Sequence, residues 1–154
     1  MLQTRKIGGT GKFFLATMLV LFVMGMAMTM VSVSAEGNWK DTLFKSAGTS
    51  SGEISTKARN KRDYSSSYAY NMKSTCELYT EVLGCAYDES SPKATEIYAG
   101  GDCTYGAHKK IPIGAAYYLP NLVKEKGYKS AILHFKFPSV TIQSLYVWWS
   151  PDSI

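Results

Sequence analysis

Residues 131–149 read AILHFKFPSVTIQSLYVWW, and their pattern decides the fold. Ala131, Leu133, Phe135 and Phe137 recur at every second position until Pro138 interrupts them, which is the period of a strand and not of a helix. Past the proline, residues 140–149 form a last strand that becomes apolar on both faces at Leu145, Tyr146, Val147, Trp148 and Trp149. Apolar character on both faces implies a central, covered position in a sheet.

Upstream the same period recurs. Residues 39–45 (WKDTLFK) read as a first strand or an ordered arm, and residues 47–52 (AGTSSG) as a flexible turn. In residues 53–59, Ile54, Thr56 and Ala58 alternate with Glu53, Ser55, Lys57 and Arg59, a half-buried strand with a charged outer face, and residues 60–63 turn the chain. Residues 64–73 place Tyr64, Tyr68, Tyr70 and Met72 on one side and Ser65, Ser67, Ala69, Asn71 and Lys73 on the other. In residues 74–83, Cys76, Leu78, Thr80 and Val82 face inward, Glu77 and Glu81 outward, and Gly84 ends the run. After a surface turn at residues 88–92, the pattern predicts a strand over 93–99 and a tight turn at Gly100-Gly101-Asp102. Ile111, Ile113, Ala115 and Tyr117 then alternate in a strand that Pro112 places at an edge. Only residues 120–127 break the period. Pro120 near the start, a lysine-rich last turn and the stop at Gly127 predict a helix of about two turns, carrying the chain across one end of a sheet. The fold class is therefore all-β, an antiparallel β-sandwich of about seven to nine short strands with one short helix.

The N-terminus sets the compartment. Residues 13–35 contain no charge, Arg5, Lys6 and Lys12 precede them, and Val33-Ser34-Ala35 supplies small residues just before Glu36. Residues 1–35 read as a helical secretory signal cleaved after Ala35, and residues 36–154 as a single secreted domain of 119 residues. The 23-residue run is also long enough to span a bilayer, so an uncleaved membrane anchor is the alternative. No cysteine precedes residue 36, which excludes a lipid-anchored lipoprotein. Three of the 17 basic residues and none of the 12 acidic ones fall in the signal, leaving 14 against 12, a balance of +2. Lys57, Arg59, Lys61 and Arg62 form the one local basic cluster, and Asp63 follows at once. It reads as a solvated strand end; a nucleic-acid surface would be broader and interleaved with stacking aromatics.

Cys76, Cys85 and Cys103 all lie in the exported part, where one disulfide and one odd thiol are expected. Three pairings are open; Cys103 is favoured as one partner, because Cys76 and Cys85 flank a single expected strand. Such a bond would stabilise by roughly 3–4 kcal/mol. Without CxxC spacing, and with only His108 and His134, the sequence offers no zinc site and asks for no cofactor. It also holds no nucleophile elbow. His134 is expected on a sheet face beside Lys136 and His108 in a loop, while Glu77 and Glu81 fit a solvated face better than a pair of glycosidase carboxylates.

The C-terminal third resembles a family of small secreted proteins of Gram-positive bacteria with a domain of unknown function. The residues that carry this are Tyr118-Leu119-Pro120-Asn121, then Lys124-Glu125-Lys126-Gly127-Tyr128, and the terminal Trp149-Ser150-Pro151-Asp152-Ser153. The resemblance covers about the last 40 residues well, and the earlier part in style only. It implies an extracellular β protein, encoded near export machinery in the manner of bacteriocin genes, and supplies no catalytic residue.

The aromatics point to binding. All 11 tyrosines and three tryptophans follow residue 35, and flat rings on a β-sandwich can stack on sugars or peptides. Trp148 and Trp149 are neighbours on one strand, so they face opposite ways and one of them must meet a second layer, a partner or solvent. Trp148, Trp149 and Tyr146 are the candidate binding residues. The expected protein is secreted and non-enzymatic, with cell-wall glycan or an extracellular protein as partner; the alternative is a bacteriocin-like antimicrobial.

Overall fold

The computed structural model describes residues 37–49, 51–137 and 143–153. The expected signal and its cleavage point lie outside the described residues, as do residues 138–142 ahead of the last strand. Among the described residues no helix is long and apolar enough to cross a membrane.

The strands are β1 (Thr42–Thr49), β2 (Glu53–Ser55), β3 (Arg59–Asn60), β4 (Ser67–Asn71), β5 (Leu78–Cys85), β6 (Ala99–Asp102), β7 (Lys109–Ile111), β8 (Ala116–Leu119), β9 (Ser130–Lys136) and β10 (Gln143–Ser150). They make two antiparallel sheets. Sheet A has the order β1-β10-β4-β8; sheet B has β2-β9-β5-β6, with β3 also on β9 and β7 also on β5. The inner faces meet in one core, with Ala69, Leu119, Leu145, Val147 and Trp149 from sheet A against Leu78, Val82, Ile111, Leu133 and Phe135 from sheet B. Each such aliphatic or aromatic side chain contributes about 1.5–3 kcal/mol on leaving water. A second, smaller cluster of Ala58, Cys85, Ala94 and Ile132 lies on the outer face of sheet B, beneath the loop over residues 86–98. The two stretches that open the sequence reading become the central strands β9 and β10, each flanked on both sides.

Several elements differ from their expected form. The strand over residues 53–59 is split into β2 and β3: the Thr56 amide still donates to the Leu133 carbonyl, but the Ala58 amide turns to the Ala94 carbonyl, so Ile54 packs on the main core and Ala58 in the outer cluster instead of sharing the expected face. Residues 47–49 extend β1 instead of turning. Residues 93–98 are no strand: the Ala94 and Tyr98 amides bond locally to Ser91 and Thr95, ending in a 3-10 turn at Glu96–Tyr98. The expected tight turn at Gly100-Gly101-Asp102 is part of β6. A glycine is needed there because the Tyr128 ring lies over Gly84 and Gly100, where any Cβ would overlap it, and its hydroxyl donates to the Gly100 carbonyl at 2.9 Å. The strand expected around Ile111 and Tyr117 divides at Pro112 and Gly114, so that β7 joins sheet B and β8 joins sheet A. The helix expected over residues 120–127 does not form, and a hydrogen-bonded turn stands in its place. Asn121 caps it with its side chain, the Lys126 amide reaches the Leu122 carbonyl at 3.0 Å, and Gly127 stops it at φ +77°.

The basic cluster is a solvated strand end only in part: Lys57 and Arg62 are exposed, but Arg59 and Lys61 are drawn inward. Lys61 is buried, and its ammonium donates to the Ser65 carbonyl (2.6 Å), the Pro151 carbonyl (2.8 Å) and Asp152 Oδ1 (2.8 Å), which places all three protons. Asp152 Oδ2 accepts the Asn38 and Arg62 amides at 2.6 and 3.0 Å. Two residues earlier, Arg59 donates to the Trp149 carbonyl at 2.8 Å and lies 5.3 Å over the Trp149 ring. Because Arg59 and Lys61 belong to the β3 end of sheet B, and Trp149 and Asp152 to the β10 end of sheet A, this clasp ties the sheets together.

Burial alone would raise the Asp152 carboxyl, but the Lys61 ammonium and two amides more than offset it and hold the group below its ordinary 3.8. Its contribution to stability is therefore complete above pH 3.8 and is lost as the pH falls through the lower folded value. Asp152→Ala strands a buried ammonium and is expected to cost about 3–5 kcal/mol in urea unfolding, with the acid-side loss of stability correspondingly reduced.

Candidate functional site

The pleat of sheet A sorts its aromatics. Along β10, Leu145, Val147 and Trp149 are buried while Tyr146 and Trp148 are half-buried on the other face. Along β4, the small residues Ser67, Ala69 and Asn71 point inward and Tyr68 and Tyr70 outward. Register then lines up Leu43, Trp148, Tyr70 and Ala116 in one row across the outer face, and Tyr68 beside Tyr118 in the next. The Tyr68 and Tyr118 rings stand 5.8 Å apart, tilted by 54°. Tyr118 is 60% exposed. The outer surface of sheet A is thus a strip of rings.

The three expected binding residues have three different fates. Trp149 is 2% exposed and belongs to the core, under Arg59. Tyr146 faces outward, but the Lys73 and Lys45 ammonium groups sit 4.9 and 5.9 Å from its ring, so its face is already occupied by cations. Trp148 alone joins the open strip. Sequence reasoning missed Tyr68, Tyr70 and Tyr118 as its companions. The alternation over residues 64–73 separates the β4 tyrosines from the small residues, but that both rings of a pair lie outward depends on the smaller side chains filling the core.

At one end of the strip lies a cavity of about 260 Å³, lined by Trp39, Asp41, Tyr68, Tyr118 and Ser150 among others. Trp39 is 42% exposed. Burial, and then the Asp41 charge, raises the Tyr68 phenol above its ordinary 10.0. A larger cavity of about 580 Å³ opens between β1 and β2, with Lys45, Lys57 and Arg59 in its walls. The Arg59 guanidinium there is already bound to the Trp149 and Lys40 carbonyls.

The remaining candidates gather on the outer face of sheet B. His134 is buried, not surface-lying, at 5% exposure. Its Nδ1 is 2.8 Å from Ser55 Oγ and 3.0 Å from Glu96 Oε1, whereas Nε2 has only Glu53 Oε2 at 3.6 Å. Ser55 and Glu96 thus share Nδ1, while the carboxylate facing Nε2 stands beyond hydrogen-bond distance. His108 bridges Glu81 (3.2 Å) and Asp102 (2.8 Å). Despite the weight of burial, hydrogen bonds from Thr104 and His108 hold the Asp102 carboxyl below its ordinary value. Glu77 and Glu81 do not act as a pair: Lys110 holds the first and Lys136 the second.

The expected disulfide is absent, and Cys76, Cys85 and Cys103 are free thiols. Cys103 belongs to the main core and Cys85 to the outer cluster, on opposite faces of sheet B. Burial pushes the Cys76 and Cys103 thiols above their ordinary range, which keeps them protonated and poorly nucleophilic near neutrality. Among the described residues, no group of three or more His, Cys, Asp or Glu side chains could hold a metal ion.

A family model described as a protein of unknown function (DUF2712) matches residues 31–153. No curated protein and no solved structure matches the chain.

The opposite placement of the paired tryptophans can be read in stability alone. Trp149→Ala is expected to cost about 3–5 kcal/mol in urea unfolding, and Trp148→Ala no more than about half of that. Equal costs would mean that the outer face of sheet A is covered.

Proposed function

The chain belongs to the DUF2712 family, and from that premise we propose that it is an exported, non-enzymatic domain that binds cell-envelope glycan through the outer face of sheet A. One observation carries this reading: the register of β10, β4 and β8 sets Trp148, Tyr70, Tyr68 and Tyr118 side by side on the outer face, three of them half-buried and Tyr118 60% exposed. Ring faces stack on the C–H faces of sugars, with the polar rims left to pair with hydroxyl groups. Strands hold them rigidly, so little side-chain freedom is lost on binding.

Export rests on the N-terminal pattern of charge, apolar run and small residues, and places this face outside the cytoplasm. Secretion from a Gram-positive cell, which the C-terminal resemblance implies, sets it against a thick glycan layer. The non-enzymatic part is supported by the lack of a nucleophile elbow in the sequence and by the 3.6 Å between His134 Nε2 and Glu53, too long for a hydrogen-bonded relay.

The purified protein is expected to sediment with insoluble peptidoglycan. Trp148→Ala and Tyr118→Ala should each lower the affinity by roughly tenfold, or about 1.4 kcal/mol, Tyr118→Ala with little change in the urea midpoint and Trp148→Ala within the smaller stability cost given above. Undiminished retention by the double variant sinks the reading. Recovery of a single supernatant protein, with no glycan, moves the same face to a protein partner.

A further inference from the structure

The cavity at the end of the strip differs from the strip itself, because it combines rings with an open charge. Two carboxylates line it. Asp152 is fully buried and neutralised by Lys61, with both oxygens bonded. Asp41 is exposed and makes no hydrogen bond or ion pair with the described residues, although it lies within electrostatic range of Arg59. Three rings line the same cavity, Trp39, Tyr68 and Tyr118, the first 42% and the last 60% exposed. Lys61 is sealed on the far side of Asp152 with all three protons placed, so it does not serve as the counter-ion of Asp41.

Ring faces carry negative potential and attract cations, most strongly over an indole. A carboxylate held among them adds a charge-assisted acceptor. An anion would meet repulsion from Asp41 and from the ring faces, and a neutral hydroxyl would give Asp41 a hydrogen bond without the compensating charge. The volume, about 260 Å³, lies below the roughly 300–1,000 Å³ of sites that enclose a drug-sized molecule, and suits a single sugar residue or headgroup. We infer that this cavity is a subsite for an organic ammonium group, presented on a sugar ring as in a de-N-acetylated amino sugar, with Asp41 as its counter-ion and Trp39, Tyr68 and Tyr118 as its cage. The inference rests on the glycan reading for its sugar, but the recognition of positive charge is its own.

The test uses the ¹⁵N-labelled purified full-length chain, titrated with glucosamine, N-acetylglucosamine and choline, and follows the Trp39 indole signal, assigned with Trp39→Phe. Glucosamine is expected to shift it saturably in the millimolar range, N-acetylglucosamine to bind at least about fivefold more weakly, and Asp41→Asn to remove that difference. Choline binding as well as glucosamine supports the ammonium site while moving its source from a sugar to a quaternary headgroup. Equal binding of glucosamine and N-acetylglucosamine overturns the inference, as does an Asp41→Asn variant that keeps the preference. Peptidoglycan retention is measured beside it: retention that persists when the preference is absent leaves the stacking face standing and removes only the ammonium subsite.

Discussion

The buried ion pair between Lys61 and Asp152 is the constraint on which the rest of the molecule depends. Two sheets of short strands bury one shared core, and nothing in strand pairing alone fixes one sheet over the other. The pair does so at one end, since Lys61 follows β3 and Asp152 follows β10. A buried charge pair is weak as a source of stability, because desolvation offsets much of the attraction, but costly to break once made. Its value is therefore one of register: only one stacking of the sheets lets the ammonium meet the Ser65 and Pro151 carbonyls and the Asp152 carboxylate together. Asp152 also lines the cavity, so the group that locks the fold supports the candidate subsite.

Family-like residues and binding residues are largely different sets. Asn121 ties its side chain to Ser67 and to the Leu119 carbonyl, Gly127 supplies a left-handed turn, Tyr128 fills the space above two glycines, and Asp152 closes the clasp. These are roles in folding. Of the residues that carry the resemblance, Tyr118 stands out on the open strip. The residues that carry the resemblance thus specify a scaffold, and the outward positions of β4, β8 and β10 that form the proposed binding face lie mostly outside them.

Much of the architecture was legible because strand period survives within each ladder: along β10, Leu145, Val147 and Trp149 are buried and Tyr146 and Trp148 half-buried, as their alternation requires. Where the ladder breaks the period is lost, and Ile54 packs on the main core while Ala58 packs in the outer cluster. What escaped the sequence depends on contacts far apart along the chain. Gly100-Gly101-Asp102 has turn chemistry locally and becomes a strand because Tyr128 needs the space. Residues 120–127 carry good helix signals at both ends but too few residues between them, and the chain is drawn instead into an isolated bridge between Thr104 and Asn121. Lys61 looked solvated because its acid lies 91 residues away. In the candidate site the rings of β4 and β10 were visible as a face, while their meeting with Tyr118, Trp39 and Asp41 is a matter of sheet order that no local pattern encodes.

Strand β8 ends sheet A with four residues, three of them exposed, and Pro120 follows directly. An unpaired strand edge is a template on which further chains can add, and apolar rings there make the addition more favourable. Proline lacks the amide needed to extend such a ladder, and the turn at Gly114 curls the other end of β8 away. The edge at β8 is thus brief, and it offers an added strand little ladder to extend.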